Sequence, residues 1–287
     1  MQLEDDFSDI IKKARNGRGL SVEELAEAAR IEPREVGNLE RGQRTPTVGE
    51  VEAIGVVLGL RPKPLTDIAQ GRWIPASPPA SMAQGEVGVE TVMGDIGGYA
   101  VKGYVVYDEA AKEAVLVDTA YNAEAMLHVL MRRKLRLKAV CLTHGHTDHS
   151  DGLEDILADE PVPVFLGRQD EGLLAWRPSR EHLNDPTEGQ TIRVGRLSIR
   201  CLPTPGHTAG GICYRVEGLS DPVCFVGDTL FAGSIGRSNP FGLYGQHLQS
   251  VHHTVLRLPE NTVLLPGHGP ATTVAEELVH NPFAGTS

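Results

Sequence analysis

Two periodicities divide the chain. Over residues 7–70 apolar side chains return every three or four positions, the spacing that turns one face of a helix inward, and punctuation residues cut the run into short helices. Phe7, Ile10, Ile11 and Ala14 form a stripe that stops at Asn16-Gly17. Ser21 with Glu24 three residues on reads as a capping box for a second helix, with Leu25, Ala28 and Ala29 facing inward. Pro33 opens a third, carrying Val36 and Leu39 up to Arg41-Gly42, and a fourth is predicted from about 47 to 58. The pattern gives a compact unit of four or five helices. From residue 87 the period becomes two: strands are predicted over 89–93, 100–107, 114–118 and 138–142, with an amphipathic helix over 123–133. Residues 71–85, rich in Pro, Ser and Ala, read as a linker, so the expected division is 1–70, 71–85 and 86–287.

Composition narrows the class. The longest apolar stretch, 51–60, is interrupted by Glu52 and two glycines and falls short of the roughly 18 residues a membrane span requires, so no membrane partner is expected. The acidic start Met-Gln-Leu-Glu-Asp-Asp-Phe lacks the basic-then-apolar order of a secretory signal, which gives a cytoplasmic expectation. Cys141, Cys201, Cys213 and Cys224 sit singly in strand-like runs and read as reduced packing residues. A net charge of −11 gives no general attraction to nucleic acid or anionic surfaces.

The helical segment, with Leu20-Ser21-Val22-Glu23-Glu24-Leu25-Ala26, the third helix, and Leu39-Glu40-Arg41-Gly42-Gln43-Arg44-Thr45-Pro46, resembles the phage-repressor-type helix-turn-helix family. The resemblance implies that the third helix enters the major groove of DNA. Arg34, Asn38, Arg41 and Arg44 would supply the contacts from one local basic edge. Val22, Glu32, Glu35 and Gly37 stand where family members carry polar or basic residues, and residues 1–70 hold 10 Lys plus Arg against 13 Asp plus Glu. A docking or dimerisation module is the alternative. Modules of this type bind as symmetric dimers, so a homo-oligomer is expected, with helix 51–60 as a self-complementary surface and the linker holding the second domains apart.

The second region carries the chemistry. A buried strand leads into Thr143-His144-Gly145-His146-Thr147-Asp148-His149. Histidines at i and i+2 would diverge on a helix, but on a tight loop leaving a strand they can converge, and Gly145 removes the steric obstacle. Pro205-Gly206-His207-Thr208, Gly227-Asp228-Thr229 and Pro266-Gly267-His268-Gly269 each follow an apolar strand. Strand-end loops are where an α/β scaffold assembles a site, so five imidazoles and two carboxylates are able to meet. His247, His252 and His253 fall in a predicted helix over 246–256 and, with His128 and His182, read as surface or packing residues.

Over about 200 residues this constellation resembles the metallo-β-lactamase superfamily, whose T-H-x-H-x-D-H signature it matches in full. The implied fold is α+β: the αββα sandwich of that superfamily preceded by a small all-α helix-turn-helix domain. The resemblance implies one divalent ion on His144, His146 and His207, another on Asp148, His149 and His268, and Asp228 bridging them, with Asp148 and Asp228 as the carboxylates of the catalytic centre. Asp118 matches the superfamily's supporting Asp, orienting the ligand loop. A nitrogen and carboxylate donor set without thiolate suits zinc and admits iron or manganese.

Two cations sharing a water bring its pKa towards neutrality, which points to hydrolysis by a metal-bound hydroxide. The runs 227–237 and 266–273 and Asn281-Pro282-Phe283 look like the glyoxalase II-type branch, which hydrolyses hydroxyacyl-glutathione thioesters, so the implied substrate is a small thioester or ester. Only 19 residues follow His268, so the glutathione-holding helical domain of longer members is not expected. Ser238-Asn239-Pro240-Phe241-Gly242-Leu243-Tyr244 departs from the Asp-Phe-Pro-Gly-Gly-Asp pattern of short members and leaves Tyr244 open between a substrate contact and a packing role. Two alternatives stand beside hydrolysis. One is a persulfide dioxygenase with a single iron on His144, His207 and Asp228; the other is a transcription regulator whose metal domain senses a metabolite.

Overall fold

In the computed structural model, which describes residues 2–76, 85–158 and 161–285, three of the five N-terminal helices begin where a side chain satisfies the first free N–H groups. The Asp6 carboxylate caps α1 (Phe7–Gly17), a Ser21–Glu24 capping box starts α2 (Val22–Ala29), and Thr47 with Glu50 does the same for α4 (Val48–Leu58). Pro33 and Pro62 occupy the first turns of α3 (Pro33–Glu40) and α5 (Pro62–Ala69). A buried bidentate pair, Arg15 to Glu40 at 2.5 and 2.8 Å, ties α1 to the end of α3.

The second part builds two sheets, each with six strands among the described residues. The first runs β1 (Val87–Ile96), β2 (Tyr99–Asp108), β3 (Glu113–Val117), β4 (Arg136–Cys141), β5 (Val164–Phe165), β6 (Leu183–Asn184), with α6 (Ala123–Arg133), α7 (Thr147–Ser150) and α8 (Leu153–Leu157) in its connections. The second sheet has the spatial order β12-β11-β10-β9-β8-β7. Its strands are β7 (Thr191–Val194), β8 (Leu197–Pro203), β9 (Ile212–Glu217), β10 (Val223–Gly227), β11 (Val263–Pro266) and β12 (Thr272–Thr273). Helices α9 (Tyr244–His253) and α10 (Val274–His280) belong to this half. No helix among the described residues is long and apolar enough to cross a membrane.

Strand alternation sorts the apolar residues into three cores. From β3, Val115 and Val117 join Phe225 and Val223 of β10 between the sheets, while Ala114 and Leu116 face α6 and α8. The opposite face of β10, Cys224 and Val226, packs in one cluster with Tyr244, Val251, Val274 and Phe283, and with Ile10, Ile11, Leu58 and Leu65 of the helical unit. The four cysteines are free and buried in these cores.

The helical unit is therefore part of the outer layer on the second sheet. Residues 71–76 of the expected linker run along this packed interface. The Trp73 ring stacks on His280 at 4.8 Å, the Ala76 N–H donates to Glu276, and the Arg61 N–H donates to the Pro282 carbonyl at 2.8 Å. Residues 77–84 of the expected linker lie outside the described residues. Within the stretch 51–60, Val51, Ile54, Leu58 and Leu60 are buried in this core, while Val56 is exposed. Tyr244 is resolved in favour of packing: it is buried, and its ring lies against Gly17 of α1.

Candidate metal centre

The ends of β3, β4, β8, β10 and β11 converge at one edge of the sandwich, and each is followed by one or more of the residues singled out from the sequence. The Ile212 N–H donates to the Thr143 carbonyl at 2.8 Å, and the Tyr104 hydroxyl donates to the Pro266 carbonyl at 2.6 Å, so the two sheets are pinned together beside the loops. Space is tight. A Cβ at position 145 would stand 2.6 Å from the Asp170 carbonyl oxygen, and one at 267 would stand 2.3 Å from the His149 ring; only glycine allows these approaches.

His144, His146 and His207 bring one nitrogen each into a common cluster, and Asp148, His149 and His268 form a second. His207 Nε2 lies 3.0 Å from His146 Nδ1, and His268 Nε2 lies 3.3 Å from His149 Nε2 and 3.2 Å from Asp148 Oδ2. Asp228 spans the two: its Oδ2 is 3.7 Å from both His207 Nε2 and His268 Nε2, and its Oδ1 is 3.4 Å from His149 Nε2.

Hydrogen bonds behind the rings fix which nitrogen is offered inward. A carbonyl can only accept, so His207 Nδ1–H donates to Arg237 (2.7 Å) and His268 Nδ1–H to Ala100 (2.8 Å), leaving each Nε2 free to coordinate. His149 Nδ1 contacts the Asp118 carboxylate at 2.9 Å, and that carboxylate also accepts from the Thr143 N–H and hydroxyl.

Burial pushes His144 well below the ordinary histidine pKa and His207 down to about 4, so both are neutral donors. Burial opposes charge on His149 as well, but Asp228 and Asp118 outweigh it and hold its pKa well above the ordinary value. Against the cost of burial, His149 and His268 keep Asp228 well below the usual carboxylate range. A divalent cation fits this donor set. His144 Nε2 and Asp228 Oδ1 are buried without a hydrogen bond inside normal geometry, as coordinating atoms would be.

Sequence reasoning missed Asp170. It is buried and joins two histidine-bearing loops, accepting from Gly145 N–H (3.2 Å), Thr208 hydroxyl (2.6 Å) and Gly210 N–H (2.8 Å). It sits on a 3-10 turn, Arg168–Leu173, within a polar run that carries no motif. Also missed was the N-terminal arm: Ser234 donates to Asp5 (2.6 Å), Lys13 pairs with Asp5 and donates to the Ile235 carbonyl, and Glu4 lies against Gly269. His247 is buried between Ser238 and the Thr229 carbonyl, a packing residue pushed down to about 3 by burial.

On the helical unit, Arg34 and Arg41 are exposed, and Arg41 donates to Asn38 at 2.9 Å. Asn38 donates in turn to Glu35. Arg44 is held by Glu35 at 2.6 Å and by Glu50 at 2.5 Å.

Residues 11–65 match the helix-turn-helix family, and residues 96–268 match the metallo-beta-lactamase superfamily. A probable metallo-hydrolase of Bacillus subtilis, YqgX, is 30% identical over 188 residues, covering 60% of this chain and 87% of its own. The crystal structure of BLEG-1 B3 metallo-beta-lactamase superposes with a TM-score of 0.60 at 30% identity, over 69% of this chain and all of that one. TTHA1623 in a di-iron-bound form gives 0.54 at 28% identity, over 67% and 99%. With the two-cluster geometry and a family match over more than half its length, the chain belongs to the metallo-β-lactamase superfamily and carries a helix-turn-helix unit in front of the metal-binding fold.

Proposed function

We propose that the protein hydrolyses a small thioester or ester with two divalent metal ions. His144, His146 and His207 would hold one ion, Asp148, His149 and His268 the other, and Asp228 would bridge them. The observation that carries this reading is the placement of Asp228 between two separate triads, since a single ion would leave the second triad without a task. That favours hydrolysis over the single-iron dioxygenase. Zinc suits the nitrogen and oxygen donors; the di-iron form of TTHA1623 supports iron as the other candidate. When bound, such a pair supplies a nucleophilic water at neutral pH and polarises the scissile carbonyl.

The chain's own residues do the rest. Asp118 fixes the His149 ring, Arg237 and Ala100 carbonyls fix those of His207 and His268, and Asp170 locks the His146 and His207 loops together. Asp148, less enclosed than Asp228, would be the carboxylate to take a proton from attacking water.

Purified protein should hold about two metals per chain and hydrolyse acyl thioesters in a chelator-sensitive way. Full activity in a His146→Ala, Asp148→Ala variant would refute the reading. The helix-turn-helix match and the exposed Arg34 and Arg41 support DNA binding as a second role; binding selection at two salt concentrations should enrich a motif and show a phosphate-contact slope.

A further inference from the structure

The helical unit reaches the metal centre through one loop. Residues 229–237 run from Asp228 to Arg237, whose carbonyl accepts the His207 Nδ1–H at 2.7 Å, and the Asn239 N–H then donates to the His207 carbonyl at 2.8 Å. The loop lies directly on both ligands: a Cβ at position 236 would stand 2.0 Å from the Asp228 carbonyl oxygen and 3.0 Å from His207 Nδ1. In so close a fit, a shift of the loop moves the ring that it orients.

Groups from both units hold this loop. The Gly233 N–H donates to Glu277 at 3.0 Å, Asn281 donates to the Ser234 carbonyl at 2.9 Å, and beyond Arg237 the Ser238 hydroxyl meets His247 of α9 at 3.1 Å. The stretch in between is held by the helical unit. The Ser234 hydroxyl donates to Asp5 at 2.6 Å, and Lys13 of α1 pairs with Asp5 at 2.5 Å and donates to the Ile235 carbonyl at 3.1 Å. Ser234 and Ile235 are fully buried, so water cannot take over these bonds. The His268 loop is supported separately from β2: its ring N–H donates to the Ala100 carbonyl, and Lys102 donates to the Gly269 carbonyl. Phe231 alone touches both sides, edge-on to His268 at 5.9 Å with the Lys13 ammonium 5.0 Å from its ring centre.

Resting on the two-ion reading above, we infer that Asp5 and Lys13 are positioning residues, through which the helical unit orients His207 and sets the affinity for the ion on His144, His146 and His207. The fusion then has a purpose: the helical unit completes the support of the metal centre behind it.

Chelator competition on the full-length, zinc-loaded protein gives a dissociation constant for each ion, and a His207→Ala variant identifies the constant that belongs to the first. Asp5→Asn combined with Lys13→Met removes the ion pair without leaving an isolated charge. The combination should weaken the first ion about tenfold and leave the second within about twofold of wild type. Ser234→Ala should act in the same direction more weakly, and it carries the test if the double variant fails to fold. In proton–nitrogen NMR spectra the His207 Nδ1–H should exchange with water faster in these variants, while the His268 Nδ1–H keeps its wild-type rate. Gly17→Ala, which crowds Tyr244 in the same interface, controls for general loosening. Equal weakening of both ions, the same selective loss in Gly17→Ala, or constants unchanged from wild type would overturn the inference. Faster His207 exchange in a protein that holds one ion, or leaves thioesters intact, would instead uphold the positioning role and overturn the assigned reaction.

Discussion

The Asp118 carboxylate and the His149 imidazole meet at 2.9 Å in complete burial, and their surroundings keep them there. Asp118 sits in the left-handed backbone region at φ 55, held by its N–H donating to Cys141. His149 is fixed from the other side, its carbonyl accepting from the Thr119 N–H and hydroxyl. Such a conformation costs about 1 kcal/mol or more for a non-glycine residue and persists where the surroundings over-determine it.

Replacing Asp118 by Asn keeps the volume but turns one carboxylate oxygen into a donor, which cannot satisfy both Thr143 groups and His149. Metal affinity should fall by about 10- to 100-fold with the fold intact. Chelator competition measures this, and an affinity equal to wild type would remove Asp118 from the ligand-orienting role.

The contact between Gly17 and Tyr244 yields a prediction opposite in sign to helix propensity. Glycine near the end of an exposed helix normally gains up to about 1 kcal/mol on changing to alanine. Here an added methyl would stand 2.3 Å from the Tyr244 ring, so Gly17→Ala should destabilise the protein by about 1–3 kcal/mol. Calorimetry should show one transition for both units in wild type. A stabilised alanine variant, or two separate wild-type transitions, would show that the helical unit does not depend on the second sheet.

Local chemistry made much of the structure legible. Ser21 with Glu24, Thr47 ahead of α4 and Pro33 mark helix starts through backbone capping, and Gly145 between two histidines marks a loop under crowding; each signal lies within a few residues. The single-residue strand-end loops were legible because β-strands deliver side chains to a fixed edge. What stayed hidden depends on long-range packing. Asp170 is 25 and 40 positions from the loops it joins, and nothing about an Asp in a polar turn announces a buried acceptor of three bonds. The composition of 71–85 signals a linker, but only the shared core of Ile11, Leu58, Val226 and Phe283 reveals that the units it connects are packed together. Tyr244 illustrates the same limit, since one aromatic suits a cleft and an interface equally well.

Glu277 makes stability depend on pH near neutrality. Burial pushes its carboxyl up to about 7 although it accepts from Thr272, Asn281 and the Gly233 N–H. The folded state therefore holds a proton that the unfolded state releases near 4.5. This contribution to stability is full below about 4.5, declines as pH rises towards 7 and is gone above it, a change of roughly 3 kcal/mol. Denaturation between pH 5 and 8 should show that decline in wild type and a flatter curve in Glu277→Gln. Equal slopes would place the proton elsewhere.

Arg44 separates folding from DNA contact in the helical unit. Its guanidinium is shared by Glu35 and Glu50, and the Glu50 carboxyl is held down at about 2, chiefly by its bond to Arg44. A lowered carboxyl pKa contributes stability above the unfolded value, 4.5, and loses it as pH falls towards 2, so Arg44→Ala should weaken the unit at neutral pH and flatten its acid transition. A phosphate would have to displace two carboxylates to reach Arg44, whereas Arg34 and Arg41 are already exposed. If the unit binds DNA, Arg34→Ala and Arg41→Ala should each lower the salt slope by about one, and Arg44→Ala should leave it unchanged. A slope reduced as much by Arg44→Ala would mean that DNA opens the Glu35–Arg44–Glu50 cluster, and the third helix would then read its site in a rearranged form.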